Sequence, residues 1–85
     1  LIIAADNEKT EVVNYLLSKW ICVKEKNSDN YTALEIAILR NNFEICELII
    51  NFYKINYPNY SLQEEYNFAK DIGNKEIIDF IQSKL

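Results

Sequence analysis

The sequence predicts an all-α chain built as a solenoid of helix-turn-helix repeats, on three observations. Two kinds of segment recur together, at spacings of 33 and then 32 residues. Within the second kind, apolar residues come as doublets four apart, the spacing of one stripe along a helix. The 85 residues include one Gly and one Pro, too few turn residues for a chain of many short strands.

The downstream segments begin at Glu11, Glu44 and Glu76. Val12/Val13 with Leu16/Leu17, and Ile45/Cys46 with Ile49/Ile50, are the doublets. They are expected to point into the stack, leaving these helices no spare hydrophobic surface. The recurring Glu suits the positive end of the helix dipole and needs no active site. The upstream segments align at the same spacings: Leu1, Leu34 and Tyr66; Ile3, Ile36 and Phe68; Ala4, Ala37 and Ala69. Each is a shorter helix whose small residue lets a neighbouring helix approach closely. One such pair cannot bury its stripe alone, but stacked pairs can. The middle pair has neighbours on both sides, which puts Leu34, Ala37, Ile45 and Ile49 at the centre of the core.

The middle unit carries the turn Asn27-Ser28-Asp29-Asn30-Tyr31-Thr32-Ala33-Leu34-Glu35-Ile36-Ala37. This resembles the ankyrin repeat pattern D-x-x-G-x-T-P-L-H-x-A, with Thr32, Leu34 and Ala37 matching. Thr32 can cap the helix, and Asn30 can stand for the Gly because Asn tolerates φ > 0. Ala33 for Pro and Glu35 for His depart from the pattern, and the second change removes a side-chain hydrogen-bonding device of the family. Trp20 and Tyr53 stand where the family has Gly after the second helix, so that loop either carries strain or takes another path.

The resemblance implies one ankyrin repeat domain over residues 1–85, with units at about 1–27 (partial), 28–59 and 60–85 (C-terminal capping). Gln82 replaces Leu17 and Ile50, and Lys70 replaces Ala5 and Ile38, as expected of an outer face on which nothing stacks. Ser61-Leu62-Gln63-Glu64 reads as a capping box. Leu1 lies within the apolar run Leu1-Ile2-Ile3-Ala4-Ala5, so further repeats are expected on the N-terminal side.

Composition excludes several functions. A net charge of −4 with scattered lysines disfavours nucleic acid, which needs cations against phosphates. No apolar run reaches membrane-spanning length. Two cysteines make no disulfide scaffold, so an intracellular, reducing, cytoplasmic setting is expected. The chain has no His, the usual general base and commonest metal ligand. Cys46 falls in an apolar stripe, Cys22 has no His to activate it, and Gly73 forms no phosphate loop. No catalytic residue, metal or cofactor is expected.

What the resemblance implies about function is protein binding through loop tips and the exposed side of the first helices. Carried over by position, this gives Asp6 and Asn7; Lys26, Ser28, Asp29, Tyr31, Leu39 and Arg40; and Gln63 and Asp71. Leu39 is the most informative, because its counterparts are the polar Asp6 and Asp71. The alternative is a structural role, with these repeats capping a longer array whose binding site lies upstream. Phe52, Tyr53, Tyr57 and Tyr60 around Pro58 are either an exposed hot spot or a local lid on the last helix pair. Lys24-Glu25-Lys26 reads as a solvated loop tip.

Overall fold

The computed structural model describes residues 1–19 and 24–85, and among them there are six helices and no strand. These are α1 (Ile2–Asp6), α2 (Thr10–Ser18), α3 (Ala33–Leu39), α4 (Phe43–Asn56), α5 (Gln63–Ile72) and α6 (Lys75–Lys84). Consecutive helices pair as α1–α2, α3–α4 and α5–α6. The short connection inside each pair makes the partners antiparallel neighbours. The first helices form one layer in the order α1, α3, α5, and the second helices form the other in the order α2, α4, α6.

The seam between first helices is made of small residues. Ala4, Ala37 and Ala69, one on each first helix, are all buried, with Ala5 and Ala33 beside them. Leu34, Ile45 and Ile49 are fully buried with Ala37 at the centre, as the repeat pattern requires. Cys46 is buried in the same core, and burial pushes its thiol up to about 12.

The turns inside the pairs share one device. Glu8, Asn41 and Gly73 occupy the same repeat position, and all three have positive φ, at 56°, 57° and 88°. The next residue is the N-cap of the second helix: Lys9, Asn42 or Asn74. The Asn42 and Asn74 side chains accept hydrogen bonds from the N–H groups of Ile45 and Ile77. Lys9 has a similar backbone conformation but supplies no cap. The Asn74 amide also donates to the Asn41 side-chain oxygen, joining the second turn to the third.

At the start of α3, Thr32 caps the helix as expected. Its Oγ1 accepts from the Glu35 N–H at 3.2 Å, and Glu35 Oε1 accepts from the Thr32 N–H at 2.9 Å. The residue that departs from the family's His thus closes a capping box. Asn30 takes φ 70°, the left-handed conformation the pattern demands.

Of the two outcomes open at Tyr53 the chain takes another path, because α4 runs on to Asn56 and places Tyr53 inside the helix, buried; two other local expectations need correction. Trp20, its counterpart, lies outside the described residues. The capping box at Ser61 does not form: Leu62 is drawn into the core, and α5 starts at Gln63 with no side-chain cap. Ser61 Oγ instead accepts from the Gln63 N–H at 3.2 Å. Lys24 is not simply a solvated tip, since its ammonium lies 4.8 Å and 4.6 Å from the ring centres of Tyr57 and Tyr60.

Of the aromatics around Pro58, Tyr53 and Tyr60 fold inwards, while Tyr57 stays 38% exposed. Tyr60 stacks on the buried Tyr53, ring centres 4.8 Å apart, and its hydroxyl donates to Glu65 Oε2 at 2.7 Å. Glu65 is buried at 5% exposure, and its other oxygen, Oε1, has no hydrogen-bond partner among the described residues. Desolvation raises the Glu65 pKa above the usual carboxylate range, partly offset by the Tyr60 hydrogen bond; burial and the same bond raise that of Tyr60.

Three stability changes are predicted. Leu34→Ala removes a fully buried side chain and should cost about 2–5 kcal/mol, read as a large fall in melting temperature. Lys9→Asn should supply the missing cap for about 1 kcal/mol, raising the melting temperature by roughly 4–8 °C in a chain of this size. The third concerns pH. A buried acid with a raised pKa stabilises the fold in full below its unfolded-chain pKa, and that contribution is lost as pH rises through the folded-state value. Glu65→Gln should therefore raise the melting temperature relative to the parent more at pH 7 than at pH 4; an equal difference at both would remove Glu65 from the account.

Candidate interaction face

The loop before α3 is shaped by Asn27. Its Oδ1 accepts from the Asp29 N–H at 3.0 Å and the Tyr31 N–H at 2.9 Å, while its backbone N–H donates to the Tyr31 carbonyl at 2.9 Å. This short-range closure projects Ser28, Asp29 and Asn30 as an exposed tip. Tyr31 is half-buried, its ring 5.8 Å from that of Phe68 on α5 and tilted by 59°. Beyond Tyr31 and the extended Thr32, α3 runs roughly 9 Å from Ala33 to Leu39 at about 1.5 Å per residue, and Leu39 is 42% exposed.

Arg40 follows Leu39 and reaches across to α1. Its Nε and Nη2 both donate to Asp6 Oδ1, at 3.1 Å and 2.7 Å. The hydrogen bond to Asp6, and then its charge, raises the Arg40 pKa, so the guanidinium stays charged. Both partners are about half exposed, a setting in which an ion pair contributes little to stability. Its consequence is positional, since it fixes two charges at one rim of a depression.

That depression encloses about 540 Å³ and is bounded by α1, the loop tip and α3. Five of the ten residues named from sequence line it: Asp6, Asp29, Tyr31, Leu39 and Arg40. Ile2, Ile3, Ile36 and Asn27 complete it, and of these Asn27 orders the loop through an Asx turn legible only once the turn geometry is known. The other five lie outside. Asn7 ends α1, its amide donating to the Ile3 carbonyl at 3.0 Å. Lys26 and Ser28 are exposed on the loop. Gln63 pairs with Asn67 along α5 at 3.1 Å, and Asp71 is exposed near that helix's end.

The second-helix layer does not match the expectation that it has no spare apolar surface. Val12, Tyr15 and Ile55 are exposed there, Ile55 by 78%. Both doublets of α4 are fully buried, but in α2 Val13 is buried while Val12 faces out, and Tyr15 and Ile55 lie outside the doublets. A second groove runs between α2 and α4, with Leu17, Leu48, Phe52 and Ile55 among its walls and no charged residue. Among the described residues, no helix is long and apolar enough to cross a membrane.

Comparison with known proteins agrees with this architecture. The family model for ankyrin repeats (3 copies) matches residues 1–59. A segment of 37 residues is 51% identical to the E3 ubiquitin-protein ligase mind-bomb of Drosophila melanogaster, covering 44% of this chain and 3% of that protein. The chain thus corresponds to a small fraction of that relative's length. No solved structure matches. With the repeat spacing, the two helix layers and the family match in agreement, the chain belongs to the ankyrin repeat family.

Proposed function

We propose that the chain is a non-catalytic module that binds a protein partner through the depression on its first-helix layer and the adjoining loop tips. Ankyrin repeats are generally protein-protein interaction modules, which supports the class of function. The observation that carries the finer reading is the meeting of Tyr31, Leu39 and Arg40 with Asp6 and Asp29 in one depression. An aromatic ring, an exposed aliphatic side chain and a guanidinium within about two helical turns fit the composition of interface hot spots, Tyr and Arg above all. The non-catalytic reading rests on the absence of His from the sequence and on Cys46, whose buried thiol is far from ionising at neutral pH. Cys22 lies outside the described residues. The ligase activity in the relative's name attaches to that much longer protein, and its catalytic chemistry is not carried over.

A second reading, that the last helix pair serves to cap the stack, draws support from Lys70 and Gln82, both exposed on that pair. On that reading the binding site lies upstream in a longer array, and the depression binds nothing itself.

The test is a binding measurement with a protein partner isolated by affinity capture on the 85-residue chain. Leu39→Ala and Arg40→Ala are exposed substitutions and should leave the circular dichroism spectrum unchanged. Each should weaken binding by about 1 kcal/mol or more, a cost that only a minority of interface residues reach. Ile55→Ser, on the other layer, should not. Loss with Ile55→Ser and none with the first two would move the site to the second-helix groove.

A further inference from the structure

We infer that the depression on the first-helix layer receives a basic side chain, lysine or arginine, from an extended segment of the protein partner. This rests on the reading above and adds the chemistry of what is bound. Ile2, Ile36, Leu39 and the Tyr31 ring supply apolar walls. Its polar rim carries two carboxylates, Asp6 and Asp29, against one guanidinium, Arg40. The guanidinium is already engaged, with two of its nitrogens on a single Asp6 oxygen. Among the described residues, Asp29 has no ion-pair partner, although its backbone N–H is held by Asn27.

An occupant must therefore cover apolar wall and meet an excess of negative charge. An acidic side chain would face two carboxylates. A purely aliphatic one would fill the walls but strip water from Asp29 without replacing it, which is unfavourable. Lysine and arginine answer both demands, because their methylene stems pack on apolar surface while the charged head stays at the wet rim. The chain's net charge of −4 also favours encounter with a basic segment. The groove between α2 and α4 lacks any charge, so nothing there selects an occupant in this way.

The experiment is a titration of the isotopically labelled 85-residue chain with three blocked heptapeptides, followed by amide chemical shifts. The peptides differ only at a central position flanked by Leu, which holds Lys, norleucine or Glu. The Lys peptide should shift the amides of Asp29, Tyr31 and Leu39 and bind about ten-fold tighter than norleucine, with the difference shrinking in high salt. Asp29→Asn should reduce Lys-peptide affinity about five-fold and leave norleucine unchanged. Equal binding of Lys and norleucine, preference for Glu, shifts confined to α2 and α4, or no shift with any peptide would each overturn the inference. Should it fail while a protein partner still responds to Leu39→Ala and Arg40→Ala, the interaction face stands and only its basic ligand is wrong.

Discussion

The structure depends on how closely α3 can approach the helices on either side of it. It has seven residues, of which Ala33, Leu34, Ile36, Ala37 and Ile38 are buried. A helix so short would not persist alone in water; packing against α1, α4 and α5 maintains it. That packing requires the small residues at Ala4, Ala37 and Ala69, since a larger side chain at any of them would push neighbouring backbones apart. Once the first helices are close, the second helices are brought within reach of one another. Phe43 and Phe80 then meet across α4 and α6 at 5.3 Å, ring edge to face.

This constraint explains why the fold was legible in the sequence and several of its ends were not. The 33- and 32-residue spacings and the buried alanines follow from stacking, which repeats in every unit and so leaves a periodic trace. The turns obey a repeated geometry too, but with unlike residues. Gly73 signals a left-handed position, Asn41 is compatible with one, and Glu8 gives no hint of one. The end of α4 was missed for a related reason. Tyr53 sits where the pattern offers a stop, yet its ring is fully used in the core against Tyr60, so tertiary packing carries the helix one turn further. At Ser61 a local helix-start signal likewise yields to the burial of Leu62.

Half of the candidate site was legible. Leu39 stood out as an apolar residue at a position otherwise acidic, and the structure leaves it partly exposed beside Tyr31 and Arg40. The Asp6–Arg40 pair could not be read from sequence, because it joins residues 34 apart on different helices and neither is unusual alone. Asn27 carries no distinct signal in the sequence, because its importance lies in two backbone N–H groups and a loop asparagine has many other uses. Glu35 departs from the family's His, yet its spacing of three from Thr32 is that of a capping box.

The two layers differ in what they leave to vary. In the second helices, the residues facing the core are mostly branched aliphatics, with Cys46 and Tyr53 among them, and exposed ones such as Ile55 adjoin uncharged walls. In the first helices, alanines handle the close contacts, so the ends of these helices have little packing duty. Equivalent positions there hold Asp6, Leu39 and Asp71, and then Asn7, Arg40 and Ile72, on nearly the same backbone. Chemistry can therefore change from unit to unit along this edge without disturbing the stack. The ion pair between Asp6 and Arg40 makes use of that freedom, for it contributes little stability at such exposure yet holds one of two carboxylates in place. Apolar area alone would not distinguish this face from the opposite groove. The uneven charge does, because on the inference above an unmatched carboxylate at the rim disfavours an acidic occupant.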